Sequence, residues 1–273
     1  MSIVITDDKH YKDIADKIRE NSYSSELMKP SEIPGKIEAV YRTGRIDGET
    51  EAYALGWDDG KQAEYDAFWD AYQSYGEPKP YTNAFGSMWT AELFKPKYDI
   101  RPTNAYMMFH NNIGTSIIID DFVDFCEKRG IVFDLSLCTD LMYGLGKLKT
   151  KRHGILNFSK CRSAMYMFYQ NYTVETIEEM IFSEITNFSS NTTFADATKL
   201  ANINKVSGVL ANSIHFQNSP LTKASITNIV NVLSPTATGQ NVTFKKSAKE
   251  AAFTDEEWAT LIATKPNWSI ALA

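Results

Sequence analysis

The sequence predicts an α/β repeat solenoid with a small helical N-terminal module and a strand-helix-strand C-terminal cap. Between residues 100 and 221 the chain restates one phrase: a short apolar strand, then a Ser, Cys or Asn, then a compact turn of aromatics and methionines. The copies are Leu135-Ser136-Leu137-Cys138, Phe158-Ser159-Lys160-Cys161 and Phe188-Ser189-Ser190-Asn191, and an apolar residue returns shortly after each, as Leu141, Ala164 and Phe194. A second observation is closer still, because Ala105-Tyr106-Met107-Met108-Phe109 recurs almost letter for letter as Ala164-Met165-Tyr166-Met167-Phe168. A unit of roughly 23 to 30 residues with one strand and one apolar turn cannot bury its own hydrophobic face, so it must stack on a neighbour.

Residues 1–42 read as two short helices. Asp7 or Asp8 can accept from the free N–H groups of the first, and Tyr11, Ile14, Ala15 and Ile18 fall on one face. The second opens at Lys29-Pro30-Ser31, with Ser31 as cap and Ile33, Ile37 and Val40 as its stripe. A helical hairpin of about forty residues is too small for much of a core, so it is expected to dock on a partner or on itself.

Residues 43–76 form an acidic helix in which Tyr65, Phe68, Tyr72 and Tyr75 have the spacing of a heptad seam. With Gly56 and Gly60 upstream allowing close approach, these four are candidate oligomerisation residues. An amphipathic helix lying on its own domain has the same pattern. Gly76-Glu77-Pro78-Lys79-Pro80 breaks the helix and marks a boundary.

Residues 77–96 read as a linker and N-terminal cap, with Phe85, Trp89 and Phe94 covering the open end of a solenoid that runs over 97–220. Within it, Asp120 and Asp121 precede a short helix carrying Phe122, Phe125 and Cys126, and are expected as helix N-terminal acids.

Residues 221–273 form the C-terminal cap. Thr222 opens a helix with the stripe Ile226, Ile229, Val230 and Leu233, and Ser234-Pro235 closes it. Val242-Thr243-Phe244 is a strand. Ser247 to Glu250 and Thr254 to Glu257 both have capping-box spacing, the second with Phe253 and Trp258 placed as a hydrophobic staple. Trp268 to Leu272 is the last strand.

A chain of 273 residues that is 43% hydrophobic and 12% aromatic can bury an ample core. No apolar run approaches a membrane span, and no basic-then-apolar signal opens the N-terminus, so a chain made in the cytoplasm is expected to stay there or leave by lysis. Three cysteines without a close pair argue against a disulfide framework, and Cys138 and Cys161, at equal points of successive copies, are expected to be buried.

The net charge of -6 conceals two opposed blocks. The segment from Arg45 to Tyr75 is strongly acidic. Between Asp140 and Glu175, Lys147, Lys149, Lys151, Arg152, Lys160 and Arg162 stand without an intervening acid. These six are candidate polyanion-binding residues on a positive face, directed to anionic wall polymers of a Gram-positive host or to an acidic partner such as the chain's own segment around Asp58 to Asp70. Solvated lysines on repeat edges have the same pattern. Nucleic acid is not expected, because the chain as a whole is acidic and the block lacks a groove-reading helix.

No catalytic arrangement meets its spacing requirement. There is no HExxH, Cys-x-x-Cys or G-x-S-x-G, and Gly144-Leu145-Gly146-Lys147 departs from the phosphate-loop pattern at Leu141. His10, His110, His153 and His215 are scattered. Neither catalytic nor metal-ligating residues nor a cofactor are therefore expected, and the chain does not read as an enzyme. Tyr166, Tyr169 and Tyr172 suit either saccharide contact or core packing.

The repeated phrase resembles the degenerate leucine-rich repeats of the BspA-like type. More narrowly, the chain is similar to tail-associated proteins of phages and prophages of gut Firmicutes, in which such repeats follow a helical head with a Lys-Pro-Ser-Glu step, here Lys29-Pro30-Ser31-Glu32. The resemblance implies a virion-tail protein whose head docks on other tail proteins and whose repeats face the host envelope. Repetition on one particle would then add weak sites into strong attachment. A bacterial surface adhesin of the same kind is the alternative, although that class needs an export signal or wall anchor. A polysaccharide-acting enzyme is a third reading.

Overall fold

The computed structural model describes residues 78–85, 91, 94–96, 98–110, 116–183, 188 and 192–273, all in the second of the two units into which the chain divides, 65–273. The expected N-terminal helices, the Tyr65, Phe68, Tyr72 and Tyr75 seam, Trp89 and Asn191 lie outside the described residues.

The described part is a mixed α/β fold made of small parallel sheets. β1 (Lys79–Pro80) pairs with β2 (Pro102–Asn104), and β3 (Ile117–Ile118) with β4 (Leu148–Lys149). β5 (Arg152–Asn157), β6 (Thr176–Phe182) and β7 (Asn202–Gly208) form one three-stranded sheet, and β8 (Ile214–Phe216), β9 (Gln240–Phe244) and β10 (Trp268–Leu272) another. Each strand in these two sheets pairs in parallel with the next one along the chain. Parallel bridges at Ile100–Phe133, Asp140–Ser163 and Leu210–Leu233 extend the same relation between the sheets. Parallel neighbours need a long crossover, which here is made of apolar turns in some connections and of short helices in others.

Those turns share one backbone. In 81–85, 105–109, 141–145 and 164–168 the first, fourth and fifth residues are buried. The third is left-handed each time: Asn83 at φ 56, Met107 at φ 53, Tyr143 at φ 55 and Tyr166 at φ 54. Its N–H donates to the following turn, Asn83 to the Tyr106 carbonyl at 3.0 Å, Met107 to Met142 at 2.9 Å and Tyr143 to Met165 at 3.2 Å. The two blocks that match almost letter for letter are thus not neighbours, because 141–145 lies hydrogen-bonded between them. An Asn or Asp before several of these bends accepts from the backbone two residues on, as Asn104 does from Tyr106 and Asp140 from Met142.

Inside, a row of rings runs through these layers. Phe85 meets Phe109 at 5.0 Å between ring centroids, Phe168 meets Phe194 at 5.4 Å, Phe194 meets Phe216 at 4.6 Å and Phe216 meets Phe244 at 6.2 Å. His153 takes a place in the row, 6.2 Å from Phe133 and 6.3 Å from Phe168. Phe158 and Phe188 are also buried, packed against each other and Phe182. Each large ring removes apolar area from water and adds favourable edge and offset contacts.

Helix α1 (Phe122–Lys128) begins as expected, with the Asp121 carboxylate accepting from the Asp124 N–H at 2.8 Å. Helix α2 (Lys223–Asn231) is capped by Thr222, but it ends at Asn231, before Leu233 and Ser234-Pro235. Leu233 belongs instead to the parallel bridge with Leu210.

Between β9 and β10 stand two helices, α3 (Lys246–Ala252) and α4 (Asp255–Ala263), where a single one was expected. Buried Phe253 is extended and separates them. The Ser247–Glu250 capping box is not formed. Helix α3 already begins at Lys246, with the Lys245 carbonyl accepting from Ala248 and Lys249, so Ser247 lies inside it. The Thr254–Glu257 box is complete, and Phe253 packs on Trp258 at 5.6 Å as the staple requires. β8 precedes residue 221 yet lies in one sheet with β9 and β10, so this sheet crosses the expected boundary of the cap.

Candidate functional site

The shared turn geometry has a consequence at the surface. Tyr143 and Tyr166 occupy the same left-handed position in adjacent hydrogen-bonded turns, so their rings stack at 4.8 Å and 8°. That separation matches the spacing of neighbouring strands. Tyr169 stands edge-on to both, at 5.6 Å and 6.3 Å, and His110 lies 5.2 Å from Tyr143. The cluster is not core: Tyr143 and Tyr166 are half-buried, Tyr169 is 36% exposed and Tyr172 51%. Partial burial, followed by the neighbouring phenols of Tyr166, Tyr169 and Tyr106, pushes the Tyr143 hydroxyl above its ordinary pKa.

The turn that carries Tyr169 and Tyr172 is fixed from several sides. Gln170 is left-handed at φ 59. Its N–H donates to an Asp196 carboxylate oxygen at 2.6 Å, its side-chain oxygen accepts from Lys147 Nζ at 2.5 Å, and its carbonyl accepts from Lys149 Nζ. Asn171, fully buried, donates to the carbonyls of Leu145 at 3.2 Å and Leu148 at 2.8 Å, and its Oδ1 accepts from the Thr173 hydroxyl at 3.0 Å. Gly146 packs against the Tyr169 backbone with no room for a β-carbon. The glycine that suggests a phosphate loop in the sequence is therefore a packing position.

The six candidate cations separate. Lys147 is buried against Gln170, and Lys149 also donates to the Gly146 carbonyl at 3.0 Å. Burial, helped by the Lys147 charge, pushes the Lys149 ammonium down to about 8. Arg152 is paired with Glu178 at 2.6 Å and Asp121 at 3.0 Å, acids that lie beyond the acid-free stretch of sequence. Its hydrogen bond holds Glu178 below the usual carboxylate range, and the two partners push Arg152 up. Lys151, Lys160 and Arg162 are exposed. The four seam residues Tyr65, Phe68, Tyr72 and Tyr75 fall outside the described residues.

Groups suited to other chemistry are disposed differently. Cys126, Cys138 and Cys161 are free and buried, and burial pushes their thiols up to about 12, 11 and 12, far from nucleophilic ionisation at neutral pH. Cys138 and Cys161 donate to the carbonyl two residues on, Asp140 and Ser163, at 3.2 and 3.0 Å. His215 Nδ1 lies 2.8 Å from Thr243 Oγ1 on the neighbouring strand.

Among the described residues no three His, Cys, Asp or Glu are grouped to hold a metal, and no helix is long and apolar enough to cross a membrane. Two open clefts of about 560 and 510 Å³ lie at the C-terminal end, the first bordered by Gln217, Lys246 and Glu250 and the second by Leu221, Thr222 and Ala251.

The stacked tyrosine pair was not legible in the sequence. Its signal was the third position of each apolar turn, visible only once 141–145 is aligned with its neighbours. No family model, curated protein or solved structure matches this chain.

Proposed function

We propose that this chain is a display and adhesion protein: a leucine-rich-repeat-like solenoid whose successive parallel layers present a surface to a cell-envelope polymer. The observation that carries this reading is the cluster of half-buried Tyr143 and Tyr166 with exposed Tyr169 on hydrogen-bonded turns at the surface. Aromatic rings with one apolar face and a polar hydroxyl are suited to the alternating C–H and O–H surfaces of sugars. A rigid scaffold that fixes them lowers the ordering cost of binding.

The setting implied by the sequence resemblance is a phage tail. The N-terminal module docks there on other tail proteins, the Tyr65, Phe68, Tyr72 and Tyr75 helix associates copies, and attachment gains strength from multivalency. Such a protein needs no cofactor and no catalytic residue. A bacterial surface adhesin is the second reading, supported by the same tyrosine surface.

Mass spectrometry of particles and cell-surface fractions, from a lysogen carrying the gene before and after induction, separates the two. Co-purification with tail proteins in intact particles is the expected result. Recovery only from the bacterial surface would transfer the reading to the adhesin.

A further inference from the structure

Resting on the reading above, we infer that the polymer met by the Tyr143, Tyr166 and Tyr169 cluster is an uncharged glycan, with Lys147 and Lys149 acting as positioning residues and not as ligand contacts.

The ionic groups beside the rings point inward, to the chain's own polar atoms. Lys147 is 8% exposed and donates to the Gln170 side chain. Lys149 donates to two backbone carbonyls, of Gly146 and Gln170, and lies 5.8 Å from the Tyr172 ring. The Asp196 carboxylate accepts from the Gln170 N–H. All three charges close on the turn that holds Tyr169 and Tyr172, on the side chain, carbonyl and N–H of Gln170, which is left-handed without being glycine. What remains for a ligand is a set of phenol rings and hydroxyls, with the His110 imidazole beside Tyr143 and Tyr169.

An anionic polymer would gain little here, because a cation already engaged by internal acceptors must be released before it can meet a new one. The exposed cations Lys151, Lys160 and Arg162 are the alternative surface for a polyanion. Binding there would vary with salt as a screened Coulomb interaction does, whereas stacking on tyrosine would not.

The test uses the full chain and soluble polysaccharides: laminarin, dextran, xylan and mannan as uncharged probes, and polygalacturonate as the anionic one. Calorimetry at low and high salt is run on wild type, Tyr169→Ala, Lys149→Met and the triple variant Lys151→Ser, Lys160→Ser, Arg162→Ser.

Expected is binding of an uncharged polymer that is indifferent to salt and weakened about tenfold or more by Tyr169→Ala. It is weakened also by Lys149→Met, to the same degree at both salt concentrations, and unchanged in the triple variant. Polygalacturonate binding that depends on Tyr169 would overturn the uncharged assignment and leave the tyrosine surface standing. Failure of all four uncharged probes would overturn the assignment, and if polygalacturonate alone binds and the triple variant abolishes that binding, the tyrosine surface falls with it. A Lys149→Met defect that disappears at high salt would overturn the positioning role.

Discussion

A β-carbon built on Gly146 falls well under 3.0 Å from the Tyr169 carbonyl oxygen, so this glycine lets one turn settle onto the next. Both partners are backbone-bound, and no side-chain rotation relieves the overlap. Gly146→Ala is expected to cost about 1 to 3 kcal/mol, the range of overpacked cores. Gly154→Ala is the control. There the added carbon meets only Val123 Cγ2 at 3.5 Å, an ordinary contact. Denaturant titration of the two variants should separate them clearly, and equal midpoints would contradict the close approach.

Phe168 is fully buried between His153 and Phe194. Phe168→Ala should lose about 3 to 5 kcal/mol, as large core truncations do. Tyr172→Ala, at 51% exposure, should change stability little. An unshifted melting curve for the Phe168 variant would show that this layer does not carry the core.

What could be read in the sequence was what depends on near neighbours. Thr222, Asp121 and the Thr254–Glu257 box cap their helices because an N-cap needs only a partner three residues away. Trp268–Leu272 has the composition of a strand and is one. What failed depends on partners a whole layer away. Leu141 marks the turn at 141–145 in the sequence, but its equivalence to 105–109 and 164–168 is hidden there because Leu141, Gly144 and Leu145 preserve the burial positions while the letters around Tyr143 change. Likewise, Arg152 finds its acids on two other layers, so an acid-free stretch of sequence did not predict free cations. Ser247 is a local exception: its spacing suits a cap, but the helix starts one residue before it.

His153 gives the fold an acid-sensitive point. It is 1% exposed among Phe122, Phe133 and Phe168, and burial pushes its imidazole down to about 4. Between the unfolded value near 6.5 and about 4, the unfolded chain binds more protons at this site than the folded one. Stability therefore falls as pH drops through that window, by about 3 kcal/mol from this residue. Glu178 and Asp121, both held low by their partners, add acid losses of their own, the first beginning near 4.5 at the foot of this window and the second below it. His153→Phe keeps a ring in the row and removes the proton site, so its stability should be less steep than wild type between pH 6.5 and 4. Parallel profiles for the two proteins would show that His153 is not buried neutral.

Asn171 should respond to pH in the opposite sense once it is made ionisable. Its amide N–H groups face the carbonyls of Leu145 and Leu148, and its oxygen faces Thr173. Asn171→Ala strips a donor from a buried strand carbonyl and should cost about 1 to 3 kcal/mol. Asn171→Asp is worse at neutral pH, because it places a carboxylate against two carbonyl oxygens. Burial and that repulsion raise the folded-state pKa of the new acid above the unfolded value near 3.9, so the folded variant holds its proton longer than the unfolded chain. Relative to wild type its stability is highest in acid, where the protonated acid still donates one hydrogen bond, and declines as pH rises through the unfolded value toward the raised folded one. Urea titrations of the variant and wild type across that range decide the point. A difference that stays flat with pH would mean that residue 171 is open to water, and that Asn171 does not join these layers.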